Sequence, residues 1–349
     1  ICCSLEEKIK SENSDFYDSF KSYMLVNKKE LLKKFSGGGF KSFEPIQSFG
    51  LFVLKPYPLL FAFFFYTGIF FYKSRIDYLA EAAVNPDKRR IAVIDEAARH
   101  YIDIDHYGEY PYNNLPHNYD SAVAKFSADT VNAYGIVPWW VQTMLWRLTS
   151  AFKEKNQVKI LKLSAEIGHY IADAHVPLHA SHNHNGQFTN QNGIHGFWES
   201  RVPELLAEKE FDFWIDKAEH IKNPGQFIWK RVLESAAAAD TVLRYEKELT
   251  QSFPADQKFS FENRNGITIR TYSTSFTTAY NNKLNGMIER RMRQSIFAVA
   301  SFWYTAWVNA GQPDLKKLSN KEFTAEELKE FEELNNNWRN GKIVGREHD

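Results

Sequence analysis

Two pairs of possible metal ligands stand four residues apart in the chain, His169 with Asp173 and His195 with Glu199. On a helix, side chains at i and i+4 lie on one face, so each imidazole could share a cation with the carboxylate that follows it. His179 lies between the two pairs, in a Pro-Leu-His tripeptide. Six of the 11 histidines fall between positions 169 and 195. This spacing predicts a metal-binding cluster.

Further His and carboxylate groups precede this stretch. Asp87 is followed by Arg90 in an Asp-x-x-Arg motif, and His100 comes ten residues after that arginine. Asp103 and Asp105 are interpreted as groups that orient imidazoles or form turns, rather than as ligands. Arg90 is interpreted as the partner of a carboxylate ligand rather than of a substrate.

The donor types limit the chemistry. The two cysteines, Cys2 and Cys3, are adjacent at the N-terminus, which excludes a sulfur-based metal site and a disulfide framework. Nitrogen and oxygen ligands without sulfur suit zinc in a catalytic setting. Divalent ions about 3.5–4 Å apart suit phosphate ester hydrolysis. Asp173 could bridge two such ions, because a carboxylate has two oxygens.

Each fragment also has a purely structural interpretation. His100 could be a buried histidine with an ordinary partner, and Asp87 could be a helix N-cap. His175, His182 and His184 are interpreted as loop or supporting residues. Together and in this order, the fragments favour a metal site over unrelated structural roles.

Composition excludes some classes of protein. The chain has 349 residues, with 43 Lys and Arg against 43 Asp and Glu, so its formal net charge is zero. This balance argues against a partner held mainly by long-range charge, such as duplex DNA. The 44% hydrophobic and 25% charged shares are ordinary for a globular protein.

Apolar residues recur at helical spacing through most of the chain. The predicted helices span 121–134, 138–154, 158–175, 227–250 and 279–309, the last being the longest, and a charged amphipathic helix is predicted at 319–337. Alternating β-branched runs are nearly absent, so a sheet-based fold is not expected. The sequence predicts an all-α, multi-helix single domain over 73–315, followed by a charged helical tail over 316–349.

The first 72 residues differ in composition. Residues 40–72 hold ten of the 28 phenylalanines, but Lys55, Pro56 and Pro58 leave an uncharged run of only 13 residues, 59–71. A membrane span needs about 20 apolar residues, and no signal peptide with a small-residue cleavage motif is recognised. Residues 1–72 are interpreted as an atypical extension whose Phe-rich part is a buried strand or hydrophobic arm, or alternatively an interfacial anchor.

The combined motifs resemble the zinc-dependent phospholipases C and their relatives, the single-strand-specific nucleases. The resemblance covers about residues 73–315 and is carried by Asp87-x-x-Arg90, His100, His169-x-x-x-Asp173, Pro177-Leu-His179 and His195-x-x-x-Glu199. It implies the all-α fold of this superfamily, with a metal cleft between helices. It also implies export, hence an extracytoplasmic location that is periplasmic or secreted.

The resemblance implies specific zinc ligands. One zinc ion would be held by Asp87, His100, His169 and Asp173, and a second by His179, His195 and Glu199. The family has a third zinc ion, shared through the position of Asp173 and held by an N-terminal Trp and a nearby His. Residues 1–99 contain neither Trp nor His, so this sequence supports two of the three ions. Either the third ion has been lost, or residues before about 72 are a frameshifted reading of the family's first segment.

The implied activity is zinc-dependent hydrolysis of a phosphodiester, in which a zinc-bound hydroxide attacks phosphorus and Asp87 can act as a general base. Glu199 resembles the phospholipases, whereas the nucleases tend to have Asp there, so a phospholipase C-like enzyme is favoured. The expected partner is a phospholipid headgroup or another phosphodiester, with peripheral membrane contact and no protein partner inferred.

Three alternatives stay open. The first is a single-strand-specific nuclease, which would need aromatic stacking platforms beside the metals. The candidates for such platforms are Trp139, Trp140, Tyr170 and Trp198, although aromatic residues at helical spacing are more often core. The second is a non-catalytic zinc-binding relic, and the third is a binding or adhesion module anchored by the Phe-rich segment.

Overall fold

The computed structural model describes residues 71–72, 75–264 and 266–315, with the isolated positions 318, 324, 329, 333 and 336. All of them belong to one compact unit, Pro45–Asp349. The predictions for the N-terminal extension therefore lie outside the described residues, except at Phe71 and Tyr72. The predicted tail helix also lies outside them, apart from the isolated positions.

The described part of the chain is mainly helical. Its helices are α1 (Ile76–Ala82), α2 (Asn85–Arg89), α3 (Tyr119–Phe126), α4 (Ala128–Ala133), α5 (Val137–Lys153), α6 (Gln157–Asp173), α7 (Ile194–Gly196), α8 (Val202–Glu210), α9 (Pro224–Ser252), α10 (Thr274–Lys283) and α11 (Met287–Asn309). A π-helical turn, Phe197–Arg201, joins α7 to α8. Short 3-10 turns lie at Ala97–Arg99, Ile104–Tyr107, Pro177–Ala180 and Ala255–Gln257.

The core forms where α5, α6 and α11 pack on one another and α9 packs against α5. Leu148, Leu161 and Phe302 are fully buried there, and each such side chain contributes about 1.5–3 kcal/mol of hydrophobic stabilisation. The buried indole of Trp303 on α11 donates its N–H to the Ser164 carbonyl on α6 at 2.9 Å. Tyr72 stacks on Trp303, with ring centroids 4.7 Å apart. The central helix α6 is thus packed on several sides, and this holds its last turn in place.

Several helices begin at a residue that caps them. Asn118, Asn156, Asn223 and Ser273 each accept a hydrogen bond from a backbone N–H in the first turn of the helix that follows. Such caps satisfy one of the N–H groups that have no partner within the helix. The start of each of these helices is therefore encoded locally.

Two predicted helices are interrupted. The segment predicted as one helix over 121–134 forms α3 and α4, because Ser127 adopts a positive φ of 75° and caps the second helix. The segment predicted over 279–309 forms α10 and α11, which are separated by Asn285 and Gly286, both in the left-handed region. The longest helix among the described residues is consequently α9 and not the last one.

One β-hairpin accompanies the helices. Strands β1 (Phe259–Arg264) and β2 (Ile267–Tyr272) pair antiparallel, with Phe259 opposite Tyr272. Arg201 donates from Nε to the Tyr272 carbonyl at 3.0 Å and thereby ties the hairpin to the start of α8. The expectation of a mainly helical fold is confirmed, and the sheet is confined to this hairpin in the part of the chain described.

Across the described ranges, no helix combines the length and the apolar character that crossing a bilayer requires.

Candidate metal centre

The last turn of α6 carries the first predicted ligand pair. His169 and Asp173 are both buried, and their side chains lie on the same face of the helix, with His169 Nε2 3.4 Å from Asp173 Oδ2. Because α6 packs against α1, α2, α5 and α11, this turn has little freedom to move.

Two more side chains meet this pair from upstream. His100 Nδ1 lies 3.0 Å from Asp173 Oδ2 and 3.1 Å from His169 Nε2. Asp87 Oδ1 lies 3.7 Å from His100 Nδ1 and 3.6 Å from His169 Nε2. The donor atoms of Asp87, His100 and His169 all lie within 4.8 Å of one another, and Asp173 approaches both imidazoles. We call these four residues the first cluster.

Local structure explains how the upstream residues arrive there. Pro86 at the start of α2 favours a helical turn, and α2 packs on α6, which brings Asp87 against it. His100 follows the 3-10 turn Ala97–Arg99, which packs on α5. The possibility that Asp87 is only an N-cap does not hold, since the cap position of α2 is Val84 and makes no side-chain cap.

The second predicted pair forms a separate group with His179. His195 Nε2 lies 3.1 Å from His179 Nε2 and 3.2 Å from Glu199 Oε2. His179 Nε2 lies 3.5 Å from the same carboxylate oxygen. Glu199 stands in the π-helical turn that continues α7. We call His179, His195 and Glu199 the second cluster.

Backbone carbonyls orient the imidazoles of the second cluster. His179 Nδ1 donates to the His100 carbonyl at 2.6 Å, and His195 Nδ1 donates to the His184 carbonyl at 3.0 Å. Each bond places the proton on Nδ1 and directs the Nε2 lone pair at the cluster, the tautomer that a metal ligand needs. The His179 bond also joins the two clusters, because its acceptor belongs to a residue of the first.

The spacing of donor atoms suits a small cation. Four ligands about 2.0–2.1 Å from a tetrahedral ion stand roughly 3.3 Å from one another. The distances within the first cluster run from 3.0 to 3.7 Å and those within the second from 3.1 to 3.5 Å. Both groups are largely buried and combine imidazole nitrogens with carboxylate oxygens. Each cluster could hold a metal ion, and the second, with three protein ligands, would leave a coordination position open.

Opposing charges control protonation in both clusters. Burial by itself would raise the pKa of Asp87, but His169, His100 and Arg90 outweigh burial and hold that pKa well below its usual range. Burial likewise opposes the charge on His169, but the facing carboxylates of Asp173 and Asp87 raise its pKa to about 9.

The carboxylate of the second cluster behaves in the same way. Burial acts to raise the pKa of Glu199, but His195 and His179 lower it to about 2. Glu199 is therefore ionised at neutral pH, as a metal ligand must be.

A buried glutamate that sequence reasoning missed supports the first cluster. Glu96 Oε1 lies 3.8 Å from His100 Nε2, the ring nitrogen that faces away from the cluster, and accepts a hydrogen bond from the Tyr170 hydroxyl. Arg89 and Arg99 pair with Oε2 of the same carboxylate. Burial acts to raise the pKa of Glu96, but His100 and Arg89 lower it to about 2. The signal was present, since Glu96 precedes His100 by the same four residues that separate the ligand pairs.

Replacing Glu96 with Gln is expected to weaken metal binding at the first cluster by about 10- to 100-fold, because the negative charge that faces His100 Nε2 at 3.8 Å is lost. Competition with a chromogenic chelator measures this affinity. Glu154→Gln is the control, because Glu154 pairs with Lys159 at an exposed site. Equal affinity in Glu96→Gln and wild type would contradict this role for Glu96.

The other charged residues noted in the sequence have supporting positions. Arg90 is buried, and its Nη1 lies 3.9 Å from Asp87 Oδ1, so it faces a carboxylate of the first cluster. Asp105 accepts from the Ser181 hydroxyl and from the backbone N–H of His182. Asp103 Oδ2 lies 3.5 Å from the His182 imidazole. These aspartates organise the loop that follows His179.

The remaining histidines stay outside the clusters. His175 is buried, with Nδ1 bonded to the Ile171 carbonyl at 2.7 Å, and burial lowers its pKa well below the ordinary value. His184 contributes its backbone carbonyl to His195, while its ring contacts Gln187. Across the ranges described, no third group of His, Cys, Asp or Glu side chains comes close enough together to hold an ion.

The aromatic residues near the clusters are mostly core. Tyr170 and Trp198 are fully buried and Trp139 is nearly so. Trp140 is half-buried, with the guanidinium groups of Arg99 and Arg147 over its ring at 4.2 and 4.8 Å. Three of the four predicted stacking candidates therefore offer little or no ring surface to a nucleobase.

The described part of the chain is mainly helical and contains two largely buried clusters of His and carboxylate side chains. It is therefore a helical protein with two candidate metal sites. No protein-family model and no curated protein matches the chain.

Proposed function

We propose that the chain is a zinc-dependent phosphodiester hydrolase of the phospholipase C type. The observation that carries the proposal is the pairing of the two clusters. Each has the donor spacing of a metal site, and the bond from His179 Nδ1 to the His100 carbonyl joins them directly. Neighbouring divalent ions are the arrangement that phosphate ester hydrolysis uses.

Zinc is favoured by the donor set. Each cluster combines two imidazoles with one or two carboxylates and no sulfur, which suits zinc better than magnesium or calcium, whose sites are built from oxygen ligands. The seven residues of the two clusters also occur in the order of the zinc ligands of the zinc-dependent phospholipases C, which this chain resembles. Two ions are supported by this chain, and a third, through Asp173, is expected from the resemblance alone.

Bound zinc would polarise the phosphoryl oxygens and lower the pKa of a water molecule at the site. The chain's own residues prepare that chemistry. Asp87 is ionised, as a metal ligand must be. Its role as a general base toward an attacking water is proposed from the resemblance alone. Arg90 balances the charge of Asp87, and Glu96 keeps His100 oriented.

A phospholipid headgroup or a similar small phosphodiester is the favoured substrate. Glu199 matches the phospholipases, and burial of Trp139, Tyr170 and Trp198 removes three of the platforms that a single-strand nuclease would use. Peripheral contact with a membrane and an extracytoplasmic location, periplasmic or secreted, complete the proposal.

Zinc content and hydrolysis measured on the same preparation test the proposal. The full chain, loaded with zinc and desalted, is assayed with p-nitrophenyl phosphorylcholine and with single-stranded DNA. We expect at least two zinc ions per chain and turnover of the phosphorylcholine ester. Cleavage of DNA alone would instead identify the nuclease, and bound zinc without turnover would identify a non-catalytic relic.

A further inference from the structure

A cavity of about 900 Å³ lies where the loop before α3 meets the starts of α5 and α9. Its volume is within the range of small-molecule sites. Five aromatic side chains line it, His117, Tyr119, Trp139, Trp140 and Trp229, and of these Trp139 and Trp229 are buried behind the others. None of the residues of the two metal clusters lines it, so the cavity is a separate feature of the molecule.

The rings are held in a fixed arrangement. The imidazole of His117 lies parallel to the indole of Trp229, with centroids 4.1 Å apart and planes 7° apart. Trp139 meets Trp229 edge-on, with centroids 5.1 Å apart. Both indole N–H groups donate to the His117 backbone carbonyl, at 2.9 and 3.3 Å. The backbone carbonyl of His117 therefore orients both tryptophans. The imidazole of His117 stacks on Trp229 and lines the cavity.

Three amide side chains present a fixed set of hydrogen-bonding groups. Asn118 and Asn223 use their oxygens to cap α3 and α9, which leaves their N–H groups as donors. Gln142 donates its N–H to the Pro138 carbonyl at 3.0 Å, which leaves its oxygen as an acceptor. These remaining groups have no protein partner among the described residues. Two donors and one acceptor thus border the ring stack.

The lining carries no Asp, Glu, Lys or Arg. His117 is its one ionisable side chain apart from the Tyr119 phenol, and partial burial lowers the pKa of His117, which favours the neutral ring. These features favour a flat ligand whose bound part is uncharged and whose edge carries both hydrogen-bond donors and acceptors.

We propose that this cavity binds the base of a nucleoside, which stacks on the outer face of His117 and hydrogen-bonds to Gln142, Asn118 and Asn223. Amide side chains read base edges, and neutral aromatic rings stack on base faces. A sugar is a poorer fit, because sugars pack on open indole faces, whereas Trp139 and Trp229 are 6% and 1% exposed. This site does not depend on the metal centre or on the proposed hydrolase activity.

Equilibrium dialysis of the full chain against labelled adenosine, guanosine, cytidine and uridine tests the proposal, with N-acetylglucosamine as the sugar comparison and each ligand assayed with and without chelator. We expect at least one nucleoside to bind at one per chain in both conditions. His117→Ala should weaken that binding about tenfold or more, because a stacked ring is lost while the backbone carbonyl that holds the indoles stays.

Gln142→Ala, which removes the acceptor, should also weaken binding and should change the preference among the four bases. Trp146→Ala is the matched control: Trp146 lies on the same helix as Trp139 but is 69% exposed and does not line the cavity. Circular dichroism verifies that each variant is folded. The proposal would be overturned if no nucleoside bound at millimolar concentration, or if the sugar bound in place of nucleosides. It would also be overturned if binding were unaffected by both His117→Ala and Gln142→Ala, or if binding were lost with chelator.

Discussion

Asp173→Asn is expected to lose the ion proposed for the first cluster and at least about a thousandfold of the proposed phosphodiesterase activity. The substitution keeps the size of the side chain but removes the negative charge that faces His100 at 3.0 Å and His169 at 3.4 Å. A metal contributes several kcal/mol of charge stabilisation to a phosphoryl transition state, which corresponds to about three orders of magnitude in rate. Elemental analysis and the phosphorylcholine ester assay measure the two effects.

His169→Ala should cause the same loss of metal and activity, because His169 is the other member of the ligand pair on α6. Asp240→Asn is the control, since Asp240 is an exposed residue of α9 that pairs with Arg244. Full metal content together with full activity in Asp173→Asn would refute the assignment of the first cluster. Loss of activity with both ions retained would place Asp173 in a role other than ligation.

Removal of metal by a chelator is expected to lower the melting temperature by about 10 °C. A ligand present at 1,000 times its dissociation constant stabilises the folded state by about 4 kcal/mol, and each kcal/mol shifts the melting temperature of a domain this size by about 2–4 °C. Differential scanning calorimetry of the loaded and the chelated chain gives the difference. Coincident transitions would mean that neither cluster holds a metal with useful affinity.

The difference in melting temperature between the metal-loaded and the chelated protein should grow as the pH rises from about 6.5 to 9. In the metal-free protein, His169 has a pKa raised from 6.5 to about 9 by Asp173 and Asp87 against the opposing effect of burial. A raised pKa stabilises the metal-free fold fully below pH 6.5, and this contribution is lost as the pH passes 9. The proton also competes with the metal for Nε2, so metal affinity rises over the same interval. His169→Gln should remove this slope from the chelated protein, and a slope unchanged in that variant would assign it to another group.

Helix positions could largely be predicted from the sequence because apolar spacing and caps are local. The helices predicted at 138–154 and 158–175 correspond closely to α5 and α6. Breaks inside helices were harder to foresee. Ser127 and Asn285 adopt left-handed backbone that the periodicity of apolar residues does not register, so each split helix looked continuous.

The hairpin was missed because its signal is short. β1 and β2 are six residues each, and apolar alternation is limited to Phe259 and Phe261 in the first and to Ile267 and Ile269 in the second. They are held by pairing with each other and by the bond from Arg201, which joins segments far apart in sequence.

The sequence by itself determined the ligand types and the two pairs at helical spacing, because i and i+4 share a helix face whatever surrounds the helix. The resemblance implies that Asp87 and His100 belong with the first pair and His179 with the second. Only the tertiary structure brings these side chains together and joins the clusters by one bond. It also decided that Glu96 stands behind His100 and that Trp139 and Trp198 are core. These outcomes depend on contacts between elements up to about ninety residues apart, set by how α2, α5, α6 and α9 pack, and such packing leaves no fixed spacing in the chain.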